Sequence, residues 1–410
     1  MDTTTIFSTA LGITEPWYVK GVKFDKEIKR LDIQIDFKKG SAFNINGVDG
    51  MHKAYDTVEK SWRHLNFFQH ECFLTARVPR VKTPDDKLHT VEPVWAGLLN
   101  GFTLLFEALI LELGRCMPVH QLSKIINVSD YKIWAILDKY VGNAREYEDY
   151  ATVNQIGMDE TSIAKGHDYI TMFVDLEEKR TIFVTEGKGS ETVAEFKKDF
   201  EKHNGDVDNI TDVSCDMSPA FIKGVRDSLP NAEITFDKFH ILKIINEAVD
   251  KVRRDEAINN PILKGTRYIF LKNEENLTAK QKTKKDALNM SKQNLKSLRA
   301  LNIRETFQQI YNAATTELFT ERLKDWYYWA THSKLESIKQ AAYTIKRHWD
   351  GVIRWKESQI NNGILEGLNS VVQAAKRKAR GYKLKHFKTI AYLVTGNLDF
   401  TKVNPEYLPT

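Results

Sequence analysis

Residues 150–238 place strand and helix patterns in an order that few folds share. Apolar residues at period-2 spacing predict five strands, over 152–163, 169–175, 180–185, 210–215 and 234–236. A helix capped by Ser190 falls between the third and fourth strands, with Phe196 and Phe200 on its apolar face. Pro219 stands in the first turn of a second helix, between the last two strands. The opening meander of three hairpin-linked strands excludes a simple doubly wound sheet.

This order of elements is that of the ribonuclease-H-like fold. The predicted fold class is α/β (α+β), with a ribonuclease-H-like catalytic core that contains a helical insertion. A helix-turn-helix and an N-terminal β-rich module precede the core, the module being indicated by residues such as Leu31, Ile33 and Ile35 that alternate with polar ones. The predicted domains are the module, the helix-turn-helix, the first part of the core, the insertion, and the completion of the core with a basic tail, over 1–95, 96–150, 151–238, 239–349 and 350–410.

Residues 102–142 change to the helical period. The first predicted helix has an apolar face of Phe102, Leu105, Phe106, Leu109 and Leu113. A short helix over 119–126 is predicted to bury Leu122, Ile125 and Ile126, and a third helix, capped by Ser129 or Asp130, extends to about residue 141. In a helix-turn-helix the third helix would enter the DNA major groove and present Ser129, Tyr131 and Lys132. Many three-helix bundles share this pattern without touching DNA, so both interpretations stay open.

Positive charge is concentrated in one segment of the chain. The formal net charge is +5, yet residues 339–388 alone contain twelve Lys and Arg against three Asp and Glu. Such a segment indicates a polyanionic partner such as nucleic acid, with a solvated helix face as the alternative.

Cysteine usage and hydropathy exclude other classes. The three cysteines (Cys72, Cys116 and Cys215) have no pairing spacing, which excludes a disulfide framework and a four-cysteine zinc site. No stretch approaches the roughly 20 apolar residues of a membrane helix, and no secretory signal opens the chain. We therefore expect a protein of a reducing compartment such as the cytoplasm, and no membrane partner.

Three carboxylates fall where a ribonuclease-H-like sheet presents metal ligands. Asp159 lies in the first strand, Asp216 ends the fourth strand, and Glu366 lies in a later helix. Phosphoryl transfer on DNA commonly uses two divalent ions, and Mg²⁺ prefers carboxylate oxygens. Any one of these side chains could instead serve solubility, and the main competing carboxylates are Glu160, Asp212 and Asp237. Asp237 either shares metal or orients His240, which in turn either touches phosphate or is a hydrogen-bonded core histidine.

The helix that contains Glu366 has two predicted faces. The buried face consists of Ile364, Leu365, Leu368, Val371, Val372 and Ala375. The opposite face presents Glu366, Ser370, Gln373, Arg377 and Arg380. A carboxylate one turn before arginines suits a surface that holds metal and then follows DNA phosphates. The predicted DNA contacts from this region are Ser370, Gln373, Lys376, Arg377, Lys378, Arg380 and Lys383.

Several motifs resemble those of the ISL-three family of bacterial insertion-sequence transposases, which are DDE enzymes. These motifs are WRHLNFFQHECFLTARVPRV, QIGMDETSIAKG, CDMSPAF, FDKFHI and NNGILEGLNSVVQAAKRKARGY. The resemblance covers the chain from about residue 62 to residue 398. The resemblance implies that Asp159, Asp216 and Glu366 form the catalytic and metal-binding triad. It also implies two Mg²⁺ ions, for which Mn²⁺ can substitute.

The resemblance further implies a DNA-bound assembly in the bacterial cytoplasm, associated with the nucleoid. The substrates would be double-stranded DNA, namely the terminal inverted repeats of the element and target DNA, bound by a homodimer or higher oligomer. Family members usually have a cysteine-pair zinc module before the helix-turn-helix, but 42–55 and 82–89 contain no cysteine here, so no structural zinc is predicted. Two rivals remain. One is a catalytically inactive or repurposed sequence-specific DNA-binding protein, and the other is a structure-selective nuclease or resolvase.

Overall fold

A computed structural model describes residues 3–45, 47–84, 86–163, 169–289, 295–360 and 363–407. These residues form two compact units, one built from 1–148 with 374–410 and the other from 149–373. No helix in the described ranges is long and apolar enough to cross a membrane.

The elements follow one another in a mixed α and β order. Those before residue 150 are α1 (Thr3–Ala10), β1 (Trp17–Asp25), β2 (Arg30–Phe37), β3 (Ala42–Ile45), β4 (Val48–Phe67), β5 (His70–Lys82), β6 (Leu88–Thr90), α2 (Leu104–Cys116), α3 (Val119–Ile126) and α4 (Asp130–Arg145). The next are β7 (Gln155–Ser162), β8 (Tyr169–Asp175), β9 (Arg180–Glu186), α5 (Glu191–Lys202), β10 (Asp212–Cys215), α6 (Pro219–Ser228) and β11 (Glu233–Phe236). The last are α7 (Lys238–Ala257), α8 (Arg267–Leu271), α9 (Ala279–Asn289), α10 (Lys296–Ile310), α11 (Thr316–His332), α12 (Glu336–Arg347), α13 (Trp349–Ser358), α14 (Gly363–Ala379) and α15 (Leu384–Thr395).

The N-terminal sheet is held by an aromatic core. Its strands lie in the order β1-β2-β5-β4-β3, with β6 beside β5. Strands β2 and β5 are parallel, whereas the other pairings are antiparallel. Trp95 packs edge-to-face against Trp17 and Trp62, with ring centroids 5.2 and 6.0 Å apart. Contacts of this kind bury large apolar areas and add a favourable ring geometry.

Helices α2, α3 and α4 pack together within the same unit, and α15 packs on α2 and α4. Asn127 ends α3 in the left-handed conformation, with φ of 54°, which leaves a three-residue turn before α4. Ser129 is the N-cap residue of α4, as predicted. The prediction for Ile125 is wrong, because this side chain is 62% exposed. Helix α3 buries a narrow arc formed by Val119, Leu122 and Ile126, and Ile125 lies outside it at about 100° per residue.

The second unit contains a five-stranded sheet in the order β11-β10-β7-β8-β9. Strands β7, β8 and β9 are antiparallel neighbours, whereas β10 is parallel to both β7 and β11. Strand β8 has the predicted bounds, but β7 and β10 begin later than the patterns predict. Val153 donates its amide to Tyr150 and Ile210 donates to Val207, so local turns use the backbone groups that a longer strand would need.

Both faces of this sheet are covered. One face contributes Ile156, Met158 and Phe173 to a large core that also contains Phe196 of α5 and Trp326 of α11. Alternate residues point the other way, where Val174 and Leu176 pack against Ile360 and Leu365. Helices from α7 to α13 add residues to the large core, so residues 239–349 share that core with the sheet.

Helix α14 covers the second face with a narrow stripe. Leu365 and Val372 are buried, and Ile364, Leu368 and Ala375 are half-buried. The prediction that Val371 is buried is wrong, since this side chain is exposed. Val371 directly precedes the buried Val372, and successive helix residues are rotated by about 100° about the axis. This rotation places Val371 outside the stripe of α14 that packs on the sheet, and the same rotation exposes Ile125 in α3.

Two helical glycines predict stability changes of opposite sign. A Cβ at Gly351 of α13 would overlap the ring of Phe236 and lie 2.9 Å from the Ile234 carbonyl oxygen. A Cβ at Gly142 of α4 would point into open space, with no described tertiary neighbour within 4 Å. Gly351→Ala should therefore lower the free energy of unfolding by about 1–3 kcal/mol through overpacking. Gly142→Ala should raise it by about 0.5–1 kcal/mol, because alanine restricts the unfolded chain. Urea denaturation measures both, and equal shifts would contradict the packing at Gly351.

Candidate functional site

Three aspartates lie at one edge of the five-stranded sheet. Strands β7, β10 and β11 run in the same direction, so their carboxyl ends meet at the same edge. Asp159 lies in the second half of β7, beyond the residues that pair with β10. Asp216 directly follows β10, and Asp237 directly follows β11.

The electrostatics of Asp159 place this carboxylate near Asp216 and His240. Burial raises the pKa of Asp159, and the negative charge of Asp216 raises it further. Charge on His240, the Glu160 amide and the Asn369 side chain act in the opposite direction. A buried carboxylate whose pKa is raised further by a neighbouring negative charge is a position at which a cation would be stabilised.

Helix α14 packs along β7 so that every second residue of the strand faces the next turn of the helix. The Cβ position of Gly157 lies 3.5 Å from a methyl group of Leu365, and the Asn369 amide nitrogen donates to Asp159 Oδ2 at 3.2 Å. Thr161 donates to Asn369 Oδ1 at 2.5 Å. Two strand residues rise by about 6.6 Å and four helix residues by about 6 Å, so each step along β7 meets the next turn of α14. Sequence reasoning did not identify Asn369, although its position one turn after Glu366 was the available signal.

Glu366 is presented beside these aspartates. It lies on the turn before Asn369 and is exposed, because the buried stripe of α14 occupies a different face. A cleft of about 580 Å³ has both Glu366 and Asp237 in its wall. The other residues in this wall are Lys238, Phe239, Leu242, Trp355, Gln359, Ile360 and Gly363. Residues 164–166 and 361–362 of the quoted motifs lie outside the described residues.

Asp237 and His240 form a hydrogen-bonded pair. Asp237 Oδ2 lies 2.8 Å from His240 Nδ1, and Asp237 Oδ1 accepts the Phe239 amide as the N-cap of α7. The pKa of His240 is raised, first by the hydrogen bond to Asp237 and also by the charges of Asp159 and Asp216. Two roles were considered for Asp237, and the hydrogen bond required for orienting His240 is present.

This pair gives a prediction for the titration of His240. An NMR titration of the imidazole resonances should place its pKa above the ordinary value of about 6.5, and Asp237→Asn should lower it. A raised folded-state pKa means that the pair's stabilisation is complete below the unfolded pKa and is lost as pH rises through the folded pKa. His348 is an internal control, since burial lowers its pKa. A His240 pKa at or below that of His348 would contradict the account.

Two of the competing carboxylates have other surroundings. Asp212 lies at the opposite end of β10 and accepts Arg354 Nη2 at 2.9 Å. Glu160 follows Asp159 in β7, so its side chain points to the other face of the sheet. Asp216, and neither of these two carboxylates, is therefore the acidic residue whose charge acts on Asp159.

The predicted DNA contacts are divided between the two units. Ser129, Tyr131 and Lys132 lie in the first unit, and so do all five basic candidates, namely Lys376, Arg377, Lys378, Arg380 and Lys383. Tyr131 is 83% exposed, whereas Lys132 Nζ lies 5.7 Å from the ring centroid of Phe102. Ser370 and Gln373 lie in the second unit; Ser370 is exposed, but the Gln373 amide donates to Thr161 Oγ1 at 3.4 Å. Arg380 follows the end of α14 in the left-handed conformation.

The carboxylates provide suitable donors for a hard cation. No three His, Cys, Asp or Glu side chains of the described ranges already stand in metal-binding geometry. The negative charge of Asp216 nevertheless acts on Asp159. The exposed Glu366 lies one helical turn before Asn369, which donates a hydrogen bond to Asp159. Carboxylate oxygens are the donors that Mg²⁺ prefers, and few are needed because Mg²⁺ keeps several waters.

Comparison with known proteins gives matches over most of the chain. The model of a family described as transposase, of the DDE type ISL-three, matches residues 156–391. The transposase for insertion sequence element IS1001 of Bordetella parapertussis is 27% identical over 243 residues, which are 57% of this chain and 59% of that protein. The transposase for insertion sequence element IS1557 of Mycobacterium tuberculosis (strain CDC 1551 / Oshkosh) is 24% identical over 354 residues, which are 79% of this chain and 78% of that protein.

Proposed function

The chain belongs to the ISL-three family of DDE transposases, and from this premise we propose that it binds the terminal inverted repeats of its insertion sequence and catalyses metal-dependent DNA strand cleavage and strand transfer. The observation that carries the proposal is the convergence of Asp159 and Asp216 at one sheet edge, with Glu366 on the helix packed along β7. In this interpretation the three carboxylates form the catalytic triad.

The sheet supports this assignment. Three antiparallel strands are followed by two parallel strands beside the first, an order that is consistent with the proposed ribonuclease-H-like core. In such a core the first and fourth strands deliver carboxylates to one edge, and here they are β7 and β10. Residues 239–349 then form a helical insertion that returns the chain to α14.

The chemistry follows from the charges at this edge. Divalent metal ions, which DDE transposases use, activate the attacking oxygen and stabilise the leaving oxygen when bound. Asp159, Asp216 and Glu366 would hold two Mg²⁺ ions, and Mn²⁺ can substitute. The Asn369 amide fixes one oxygen of Asp159 and the Glu160 amide donates to the other, so the carboxylate is oriented before substrate arrives.

Two successive phosphoryl transfers are proposed at this one site. In the first, water attacks the phosphate at the repeat boundary and frees a 3′-hydroxyl end. In the second, this hydroxyl attacks a phosphate of the target DNA in line, and the target's own 3′-oxygen leaves. Positive charge on His240 offsets part of the negative charge that the reacting phosphate brings to the aspartates.

Recognition of the repeats is assigned to the first unit. Helices α2, α3 and α4 with the turn at Asn127 would serve as a helix-turn-helix, and α4 as the recognition helix would present Ser129, Tyr131 and Lys132 at its start. The basic residues from Lys376 to Lys383 belong to the same unit and would contact phosphates. Pairing of two element ends implies a homodimer or higher oligomer on DNA, acting at the bacterial nucleoid.

A two-part assay with the wild-type chain tests this proposal. A labelled duplex with the terminal repeat of the protein's own element is compared with a duplex of scrambled repeat sequence, in Mg²⁺ and in EDTA. The proposal predicts preferential binding of the repeat, and nicking at its boundary only in Mg²⁺. Specific binding without nicking would indicate an inactive DNA-binding protein, and nicking without repeat preference would indicate a structure-selective nuclease.

A further inference from the structure

A second cleft adjoins, along helix α7, the cleft with Glu366 and Asp237 in its wall, which we call the catalytic cleft. It encloses about 330 Å³, and Phe239 and Leu242 line both clefts. Its wall continues along one face of the helix at steps of three or four residues, through Lys243, Asn246, Asp250 and Arg254. From Phe239 to Arg254 this face extends about 22 Å, at about 1.5 Å per residue. We call this cleft the α7 groove.

The α7 groove has an excess of positive charge. Its basic side chains are Lys243, Arg254, Arg267 and Arg304, and its acidic side chains are Glu247 and Asp250. Asp250 is shared, because Arg253 approaches it at 2.7 Å, Arg254 at 3.4 Å and Arg267 at 4.0 Å. One carboxylate among three guanidinium groups leaves them incompletely neutralised. Lys243 is exposed and has no carboxylate within ion-pair distance among the residues that the structure describes.

Arg304 adds a positive charge from beneath the groove. This side chain is only 1% exposed. Its guanidinium donates to Asn246 Oδ1 at 2.5 Å, to the Leu271 carbonyl at 2.9 Å, to Asn273 Oδ1 at 3.1 Å and to the Lys272 carbonyl at 3.5 Å. All of these acceptors are neutral. The charge of Glu305 acts on Arg304, but no described carboxylate forms an ion pair with its guanidinium. A buried guanidinium without a directly paired anion is costly, so an anion held above it in the groove would be favoured.

We propose that the α7 groove binds backbone phosphates of the DNA strand whose reacting phosphate lies at Asp159, Asp216 and Glu366. The inference rests on the proposed function, because that function places a DNA strand at Asp159, Asp216 and Glu366. The groove begins where the catalytic cleft ends, and a strand that leaves the carboxylates past Phe239 meets Lys243 and then Arg254 and Arg267. The ligand class is a phosphodiester chain, bound by charge and without base readout.

The test uses the full-length protein with charge-reversing variants Lys243→Glu and Arg267→Glu. The matched control is Lys251→Glu, which makes the same change on an exposed lysine of α7 that does not line the groove. Two labelled duplexes serve as probes, one ending at the repeat boundary and one with eight further base pairs of flanking DNA. Affinity is measured by fluorescence anisotropy over a range of salt concentrations, and unfolding midpoints establish that each variant is folded.

Each groove variant should weaken binding about tenfold relative to Lys251→Glu and lower the slope of log affinity against log salt by about one. Loss confined to the flanked probe would assign the groove to flanking DNA, and equal loss with both probes would assign it to the element side; either supports the inference. Affinities within twofold of the control on both probes would overturn it. If the wild type instead neither prefers the repeat nor nicks it, the proposed function itself has failed.

Discussion

Asp159→Asn and Asp216→Asn should each lower the rate of DNA cleavage by roughly 1,000-fold or more while repeat binding is retained. The amide keeps the size of the carboxylate but removes the negative charge that a divalent ion requires. The two aspartates already interact, since Asp216 raises the pKa of Asp159, and one cannot replace the other. Single-turnover nicking of a repeat-bearing duplex, at protein concentrations that saturate binding, measures the chemical step.

Glu160→Gln is the matched control for this prediction. Glu160 is the next residue of β7 and is also half-buried, but its side chain points to the other face of the sheet. We expect its cleavage rate to stay within about threefold of wild type, because glutamine keeps the size of the side chain and the changed group points away from the site. A large loss of cleavage rate in Glu160→Gln, with little loss in Asp159→Asn, would contradict the prediction. It would show that β7 presents Glu160 to the substrate and not Asp159.

Glu107→Ala should lower the free energy of unfolding of the first unit by about 3–5 kcal/mol. Glu107 lies in α2 and is fully buried. Its carboxylate accepts the Tyr140 hydroxyl at 2.6 Å and the amides of Leu98 and Leu99 at 2.8 and 3.0 Å. Alanine would leave the buried Tyr140 hydroxyl and two part-buried amides without this acceptor, and a cavity in place of the side chain. Urea denaturation followed by the helical circular dichroism signal measures the loss.

Two companion variants distinguish this network from a general effect of removing a glutamate. Glu107→Gln keeps the shape and one acceptor oxygen, so its cost should fall between wild type and alanine. Glu59→Ala removes an exposed glutamate of β4 in the same unit and should change stability by less than about 0.5 kcal/mol. Similar losses in Glu59→Ala and Glu107→Ala would mean that the buried carboxylate is not what holds residues 97–99 to α2 and α4.

The sequence was sufficient to predict the elements that present Asp159 and Asp216. Period-2 runs define β7, β8 and β9, and polar residues at strand ends mark the edge where the aspartates meet. Apolar periodicity also located α14, but it could not assign every position to a face. Val371 and Val372 are equally apolar neighbours, and only the packing of α14 on β7 determines that Val372 is buried and Val371 exposed.

Contacts between distant segments could not be predicted from local pattern. Asn369 reaches Asp159 across 210 residues of chain, and the bond depends on a register between helix and strand that no sequence period reports. The same is true of Asp212, a competing candidate from sequence alone, whose pairing with Arg354 depends on a contact across 142 residues. Local bonds were more accessible, since Asp237 and His240 are three residues apart and their pairing was one of the roles considered.

Cleavage by Glu366→Gln tests the central claim most directly, because Glu366 must complete the site from a different element than the two aspartates. The measurement is nicking of the repeat-bearing duplex by wild type and Glu366→Gln, each in Mg²⁺, in Mn²⁺ and in EDTA, with repeat affinity measured in parallel. The account predicts metal-dependent nicking at the repeat boundary by the wild type, its loss in Glu366→Gln, and unchanged repeat binding by both. Nicking by Glu366→Gln at the wild-type rate would contradict the account, since a different side chain would then be the third acidic residue.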